Sequence, residues 1–196
     1  MADIPPVMEG LGLGREARRF VEDAYKTLME TEARSHGTVP EEVHLEELGS
    51  ADTLLDFAGT AVLAEDLGLF RKGVAIYSGP VAMGRGRVKT LGGIMPLPPP
   101  VTTQILKEYK IPFLFLPVEV ELTTPTGATI LANLVRSFSE PPAMRIDAVG
   151  MGAGSIDLPS TPNLLRILDG DAAGTGHFVS VLETNLDDAT GEVMGY

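Results

Sequence analysis

The chain contains no cysteine and no tryptophan, and only three of its 196 residues are histidine. The absence of cysteine excludes disulfide bonds, thiolate metal sites and thiol catalysis. Basic residues are scarce, and the net charge of −12 argues against general nucleic-acid binding because phosphate backbones require a basic surface. No apolar run reaches the length of a membrane span, and the N-terminus lacks the basic and apolar regions of a signal peptide. We therefore expect a soluble, acidic protein of the cytoplasm, with neither membrane nor nucleic-acid partners.

The residues that are present predict a folded mixed α/β (α+β) protein. A hydrophobic fraction of 44% with 21% charged residues is typical of a chain with a real core. Apolar periodicity predicts helices at residues 15–35, 51–67, 101–107 and 126–138, and Gly37 is expected to end the first of them. Strands are predicted at residues 74–77, 112–122, 144–149, 164–168 and 178–182, with a Gly-rich hairpin or bulged strands in 83–93. Because the helices and strands follow no strict βαβ repeat, we expect about three main helices packed on a mixed sheet.

An acidic block at residues 41–56 is the first candidate site, since it holds six carboxylates around one histidine. Oxygen ligands with an imidazole suit a divalent cation. A helix that begins at Ala51 would place Asp52 and Asp56 four residues apart on one face, where like charges repel unless a cation lies between them. A solvated acidic surface explains the same pattern. The candidate metal-facing residues are His44, Glu46, Glu47, Asp52 and Asp56.

A candidate anion site combines a basic segment with a helix start. Arg85, Arg87 and Lys89 alternate, so in a strand they would share one face. At the predicted helix start, Thr124 is a suitable N-cap and Pro125 a suitable first residue, and such a terminus offers N–H groups to an anion. A charge-protected edge strand and an ordinary capped helix explain each feature separately. The candidate anion-binding residues are Arg85, Arg87, Lys89, Thr124, Thr126 and Gly127.

Ordered sequence blocks extend over most of the chain. Residues 43–56 are similar to the block VHFHEVGAVDSIVDI, residues 121–128 to GELTTPTGAALL, and residues 183–188 to ETNIDD. Further blocks follow the same order at residues 84–89, 96–98, 144–146, 150–154 and 163–166. Together they resemble the LarC family, the nickel insertases that complete the nickel-pincer nucleotide cofactor of lactate racemase. Several blocks in order make this resemblance more specific than any single motif.

The resemblance implies a function for the whole insertase. It implies insertion of nickel into a pyridinium bis-thiocarboxylate mononucleotide, a lyase-class reaction that consumes CTP in the full protein. It also implies that this chain corresponds to the middle of the insertase, with residues 13–170 a single α/β domain and 171–196 a linker and the first strand of a further domain. Residues 1–12 are rich in proline and glycine, and we expect them to be flexible. Glu183, Asn185, Asp187 and Asp188 would belong to that further domain's opening motif. The missing segments of the insertase would be its partners, and the chain alone is expected to be inactive.

Two departures from the family pattern affect the metal. Glu46 stands where the family has a histidine, and Gly92 replaces the histidine of the family's HG pair. Loss of nitrogen ligands with retention of carboxylates favours magnesium or manganese over nickel at the acidic block. Nickel would then be the substrate metal. A non-catalytic nucleotide- or metal-binding module, or an oligomerisation module of a divergent paralogue, is the alternative function, and the sequence names no catalytic residue.

Overall fold

The structure of the protein is a computed structural model that describes residues 10–43, 51–90, 93–158, 162–173 and 178–184. These residues form four α-helices, one 3-10 turn and eight strands. The helices are α1 (Arg15–His36), α2 (Ala51–Asp66), α3 (Pro100–Tyr109) and α4 (Pro125–Leu134), and the 3-10 turn is Pro40–Glu42. The strands are β1 (Ala75–Ser78), β2 (Val81–Met83), β3 (Arg87–Thr90), β4 (Gly93–Pro96), β5 (Phe113–Phe115), β6 (Met144–Ala153), β7 (Leu164–Ala172) and β8 (Phe178–Thr184).

Helix α1 forms because its apolar residues recur at a helical period. Phe20, Ala24 and Leu28 are spaced four apart and all are buried in the core. The helix ends where Gly37 adopts a left-handed conformation with φ 67°, and the next N–H, that of Thr38, returns to the carbonyl of Ala33. The predicted helix and its glycine stop are confirmed.

The main sheet is mixed, as predicted, in the strand order β1-β8-β7-β6. Strand β8 pairs in parallel with β1 and antiparallel with β7, and β6 forms one edge. Ile76, Leu182 and Ile167 join the core that also contains the inner faces of the helices. The sheet is thus covered by helices on one side. No helix among the described residues is long and apolar enough to cross a membrane.

Two short strand pairs lie outside this sheet. Strand β2 pairs with β5 in parallel. Strand β3 pairs with β4 as an antiparallel hairpin, so the predicted hairpin is present, but it lies at residues 87–96 and begins later than the predicted range of 83–93.

The predicted helix over residues 126–138 is too long at its C-terminal end. Helix α4 stops at Leu134, and Val135 is extended with φ −73° and ψ 135°. The N–H groups of Arg136 and Ser137 then donate to the carbonyl of Ile76 at 2.9 and 3.2 Å. Hydrogen bonds to β1 therefore hold residues 136–137 against that strand, and they outweigh the helical pattern of the local sequence.

The predicted strand over residues 112–122 is also too long. Only Phe113–Phe115 pairs as β5. Pro117 lacks an N–H group and so cannot continue a ladder. Beyond it, the alternating apolar and acidic residues form a loop that contacts the segment after β2.

The predicted domain boundary at residue 170 falls inside β7. The strand expected to open a further domain is β8, which lies between β1 and β7 in the main sheet. The division of the chain into domains stays a prediction.

Candidate functional site

The loop of residues 118–124, which leads into α4, crosses the chain immediately after β2. The N–H of Arg85 donates to the carbonyl of Val118 at 2.8 Å, and the hydroxyl of Thr123 donates to the carbonyl of Ala82 at 2.7 Å. Between these bonds lies Gly84, where an added Cβ would stand 1.8 Å from the carbonyl oxygen of Val120. Only glycine permits so close an approach of two backbones. We call this contact the Gly84 crossing.

Helix α4 begins as the sequence predicts. Thr124 is the N-cap, its side-chain oxygen accepts the N–H of Gly127 at 3.1 Å, and Pro125 is the first helical residue. The cap changes which amide can bind an anion, since the Gly127 N–H is already used. Pro125 has no N–H, and the Ala128 N–H donates to the Thr124 carbonyl. Thr126 is left as the first-turn donor without an intrahelical partner.

The three basic residues do not share one strand, so that part of the prediction is wrong for Arg85. Arg87 and Lys89 alternate along β3 and share one face of the hairpin. Arg85 precedes β3, and Gly86 intervenes with φ 97°. Gly86 turns the chain, so that the side chain of Arg85 is directed separately from those of Arg87 and Lys89. The guanidinium of Arg85 lies over the ring of Phe115, 5.1 Å from the ring centroid.

The Gly84 crossing therefore joins the backbone of the basic segment to the loop that enters α4. No hydrogen bond or ion pair among the described residues links Arg85, Arg87 or Lys89 to Thr126 or Gly127. A shared anion site stays a prediction.

Glu121 lies in the same loop and is unusual for a charged residue because its carboxyl group is partly buried. Its side chain is half-buried, and its Oε1 atom has no hydrogen-bond partner in the part of the chain that the structure describes. Burial raises the pKa of the Glu121 carboxyl. A carboxyl in such a setting can accept or donate a proton closer to neutral pH than an exposed one can.

Of the candidate metal-facing residues, the structure describes Asp52 and Asp56, both exposed on the first turns of α2. Partial burial of the carboxyl and, second to it, the charge of Asp52 raise the pKa of Asp56. The two carboxylates therefore repel each other, as their spacing predicts. Within the described ranges, no three His, Asp or Glu side chains are grouped so as to hold a metal ion.

The other candidates of the acidic block, His44, Glu46 and Glu47, lie outside the described residues. So do Asn185, Asp187 and Asp188 of the ETNIDD-like block, while the backbone of Glu183 lies in β8.

A family model described as nickel insertion protein matches residues 1–196. The chain belongs to this family. The resemblance inferred from the ordered sequence blocks is thereby confirmed.

Curated relatives agree with the nickel insertion family. A protein of Methanothermobacter thermautotrophicus, provisionally named a nickel insertion protein, is 40% identical over 193 residues, which cover 96% of this chain and 46% of the relative. A protein of Picosynechococcus with the same provisional name is 36% identical over 198 residues, 100% of this chain and 47% of its own length. The pyridinium-3,5-bisthiocarboxylic acid mononucleotide nickel insertion protein of Geobacillus kaustophilus is 34% identical over 206 residues, 100% of this chain and 49% of its own length. The chain thus spans about half the length of these relatives. No solved structure matches it significantly.

Two aromatic residues of this nickel insertion family member were not among the sequence-based candidates. Phe113 and Phe115 alternate along β5, and both rings remain about half exposed, 50% and 42%. Their centroids are 5.3 Å apart in an edge-to-face arrangement. The Phe-Leu-Phe alternation was visible in the sequence, but its position beside Arg85 depends on the pairing of β5 with β2.

Proposed function

We propose that this chain holds the nucleotide substrate while nickel is inserted into pyridinium-3,5-bisthiocarboxylic acid mononucleotide, in a reaction of nickel-pincer cofactor biosynthesis. The observation that carries the proposal is the match of the nickel insertion family model to the whole chain. Nickel is a substrate in this reaction, and the sulfur atoms of a thiocarboxylate are ligands that nickel accepts well. The consumption of CTP and a location in the cytoplasm belong to the same proposal.

The phosphate of the nucleotide would bind beside the Gly84 crossing. Arg87 and Lys89 supply two cations on one face of the hairpin, and the Thr126 amide supplies a donor at the positive end of α4. The crossing supports this assignment because it ties the basic segment to the loop that enters the helix. In a chain of net charge −12, anion binding requires such a local arrangement of cations.

The phosphate assignment can be tested by calorimetric titration of the protein with nicotinic acid mononucleotide. We expect Arg87→Ala/Lys89→Ala to weaken binding at least tenfold, as for loss of charge-assisted contacts to phosphate. Lys72→Ala is the matched control, because Lys72 is an exposed cation in the turn after α2. Equal affinities of the double variant and the control would remove the phosphate site from the basic segment.

Magnesium or manganese would bind at the acidic block, through His44, Glu46, Glu47, Asp52 and Asp56. The mutual repulsion of Asp52 and Asp56 supports this assignment, since a cation between them would relieve it. We expect calorimetry to show weak binding of manganese or magnesium to the wild type and its loss in Asp52→Asn/Asp56→Asn. The site assignment fails if no metal, nickel included, releases heat, or if the double variant gives the same heats.

An oligomerisation module is the second candidate function, and the edge strand β6 favours it. Val149 and Met151 lie two residues apart on one face of β6 and are 52% and 66% exposed. Exposed apolar residues on a sheet edge are typical of pairing surfaces. A stable oligomer in sedimentation velocity that binds neither metal nor nucleotide would favour this function over nickel insertion.

A further inference from the structure

A cavity of about 220 Å³ opens between the C-terminal half of α3 and the β2–β5 pair. Its floor is apolar and buried, formed by Met83, Leu106 and Ile111. Phe113 stands at its side, and Lys107 and Lys110 lie at its rim. An apolar floor with a few charged groups at the opening is the usual composition of a small-molecule site.

The aromatic wall of the cavity continues outside it. The ring of Phe113 packs edge-to-face against that of Phe115, and the guanidinium of Arg85 covers Phe115. Half-exposed phenylalanine rings next to a cation can stack a flat ring and attract its negative groups at the same time. Neither ring has an evident role in the core, since Leu114 is the residue of β5 that turns to the opposite face.

Lys110 has a backbone conformation that a lysine seldom adopts. It ends α3 in the left-handed region with φ 55° and ψ 38°, and it is the sole non-glycine residue with positive φ among those described. Glycine or asparagine occupies this position at lower cost. A lysine in this strained conformation is accounted for if its amine is needed at the cavity rim.

The cations around this cavity form no ion pairs with other described residues, so they can bind the anionic groups of a ligand. Within the described residues, neither Lys107, Lys110 nor Arg85 forms an ion pair, whereas the neighbouring Glu108 is already paired with Arg34. Glu119 is the acidic residue that packs beside Gly86, and it forms no ion pair with Arg85. Three unpaired cations beside two exposed rings create a locally positive surface on an acidic protein.

We propose that this cavity and the adjoining rings, which we call the ring site, bind a flat aromatic ring that carries anionic groups. The ring lies against Phe113 and Phe115, and its anionic groups lie between Lys107, Lys110 and Arg85. A cavity of about 220 Å³ accommodates a single ring, so a sugar phosphate attached to that ring lies outside the cavity. That the ring is the pyridinium of the insertion substrate rests on the proposed function.

The test uses the whole chain without nickel and two commercial probes. Nicotinic acid mononucleotide has a pyridinium ring, a carboxylate and a phosphate, whereas ribose 5-phosphate lacks the ring. We expect calorimetry to give at least tenfold tighter binding of the first probe, as for one base stacked on an aromatic side chain. Equal binding of the two probes, or no binding of the mononucleotide, would overturn the ring site.

Lys110→Gly separates binding from folding. The variant removes the amine and relieves the left-handed strain, so we expect a higher melting temperature together with about tenfold weaker binding of nicotinic acid mononucleotide. Phe115→Leu should weaken binding similarly, and Lys72→Ala should leave it unchanged. Unchanged affinity in Lys110→Gly overturns the proposal.

The ring site and the proposed function can fail separately. Probe binding is measured without nickel, so the absence of nickel insertion in a full assay would leave the ring site standing. Conversely, nickel insertion that persists at the normal rate in Phe115→Leu/Lys110→Gly would overturn the ring site and leave the proposed function standing.

Discussion

Substitution of Gly84 by alanine tests whether the crossing holds this part of the protein together. The added Cβ would lie 1.8 Å from the carbonyl oxygen of Val120, and that obstacle is backbone that cannot rotate away. The two segments would have to separate by more than an ångström to reach van der Waals contact. Their separation would strain or break the bonds from Arg85 to Val118 and from Thr123 to Ala82.

The expected loss of stability combines overpacking with the loss of hydrogen bonding. Overpacking of a tight site costs about 1–3 kcal/mol, and each hydrogen bond contributes about 1 kcal/mol. We therefore expect Gly84→Ala to lower the free energy of unfolding by about 3 kcal/mol. For a protein of this size, that corresponds to a fall in melting temperature of roughly 6–12 °C.

Gly59→Ala is the matched control for this prediction. Gly59 lies in α2, and an added Cβ there would meet no atom within 4 Å. Alanine should stabilise the helix by about 0.5–1 kcal/mol, so the two variants should shift the melting temperature in opposite directions. Differential scanning calorimetry measures both. A Gly84→Ala protein with the same melting temperature as the wild type would refute the close approach of the two backbones at Gly84.

Three further outcomes follow from the same region and from α2. Thr124→Ala should cost about 1 kcal/mol in urea unfolding through loss of the cap on Gly127, and Thr124→Ser should retain most of that stability. For Glu121, the raised pKa means that the protonated carboxyl favours the folded state; this stability is fully present below the unfolded pKa of about 4.3 and is lost as pH rises through the folded pKa. Glu121→Gln should therefore remove this loss of stability with rising pH. Parallel plots of unfolding free energy against pH for wild type and variant would contradict the raised pKa of Glu121. Asp52→Asn should lower the pKa of Asp56 only in part, because burial is the larger cause of the shift; an unchanged Asp56 titration by NMR would show that the carboxylates do not interact.

Local sequence signals were sufficient to predict the ends of an element where neighbouring residues alone determine them. Helix α1, its stop at Gly37 and the Thr124 cap are such cases, because the residues that decide them are neighbours along the chain. The end of α4 was missed because the residues that follow it, Arg136 and Ser137, bond to β1, some sixty positions earlier in the chain.

The candidate site was harder to predict for the same reason. Arg87 and Lys89 share a face as their spacing indicates, but Gly86 has a positive φ that separates Arg85 from them. Arg85 instead meets Phe115 because β2 and β5 pair, which no local pattern reveals. The aromatic and lysine residues of the ring site were therefore absent from the sequence-based candidates.

The position of β8 has a consequence for the synthesis of this protein. Because β8 lies between β1 and β7, the main sheet cannot close until residue 184 has left the ribosome. At about 5–20 residues per second, β1 would wait several seconds, unpaired on that side, for its parallel partner. Such late, non-local pairing is slow and leaves strand edges open to aggregation. A chain terminated before Phe178 would lose an inner strand of the sheet and not merely its C-terminal end, so ribosome-bound chains of that length are those for which we expect the greatest dependence on chaperones.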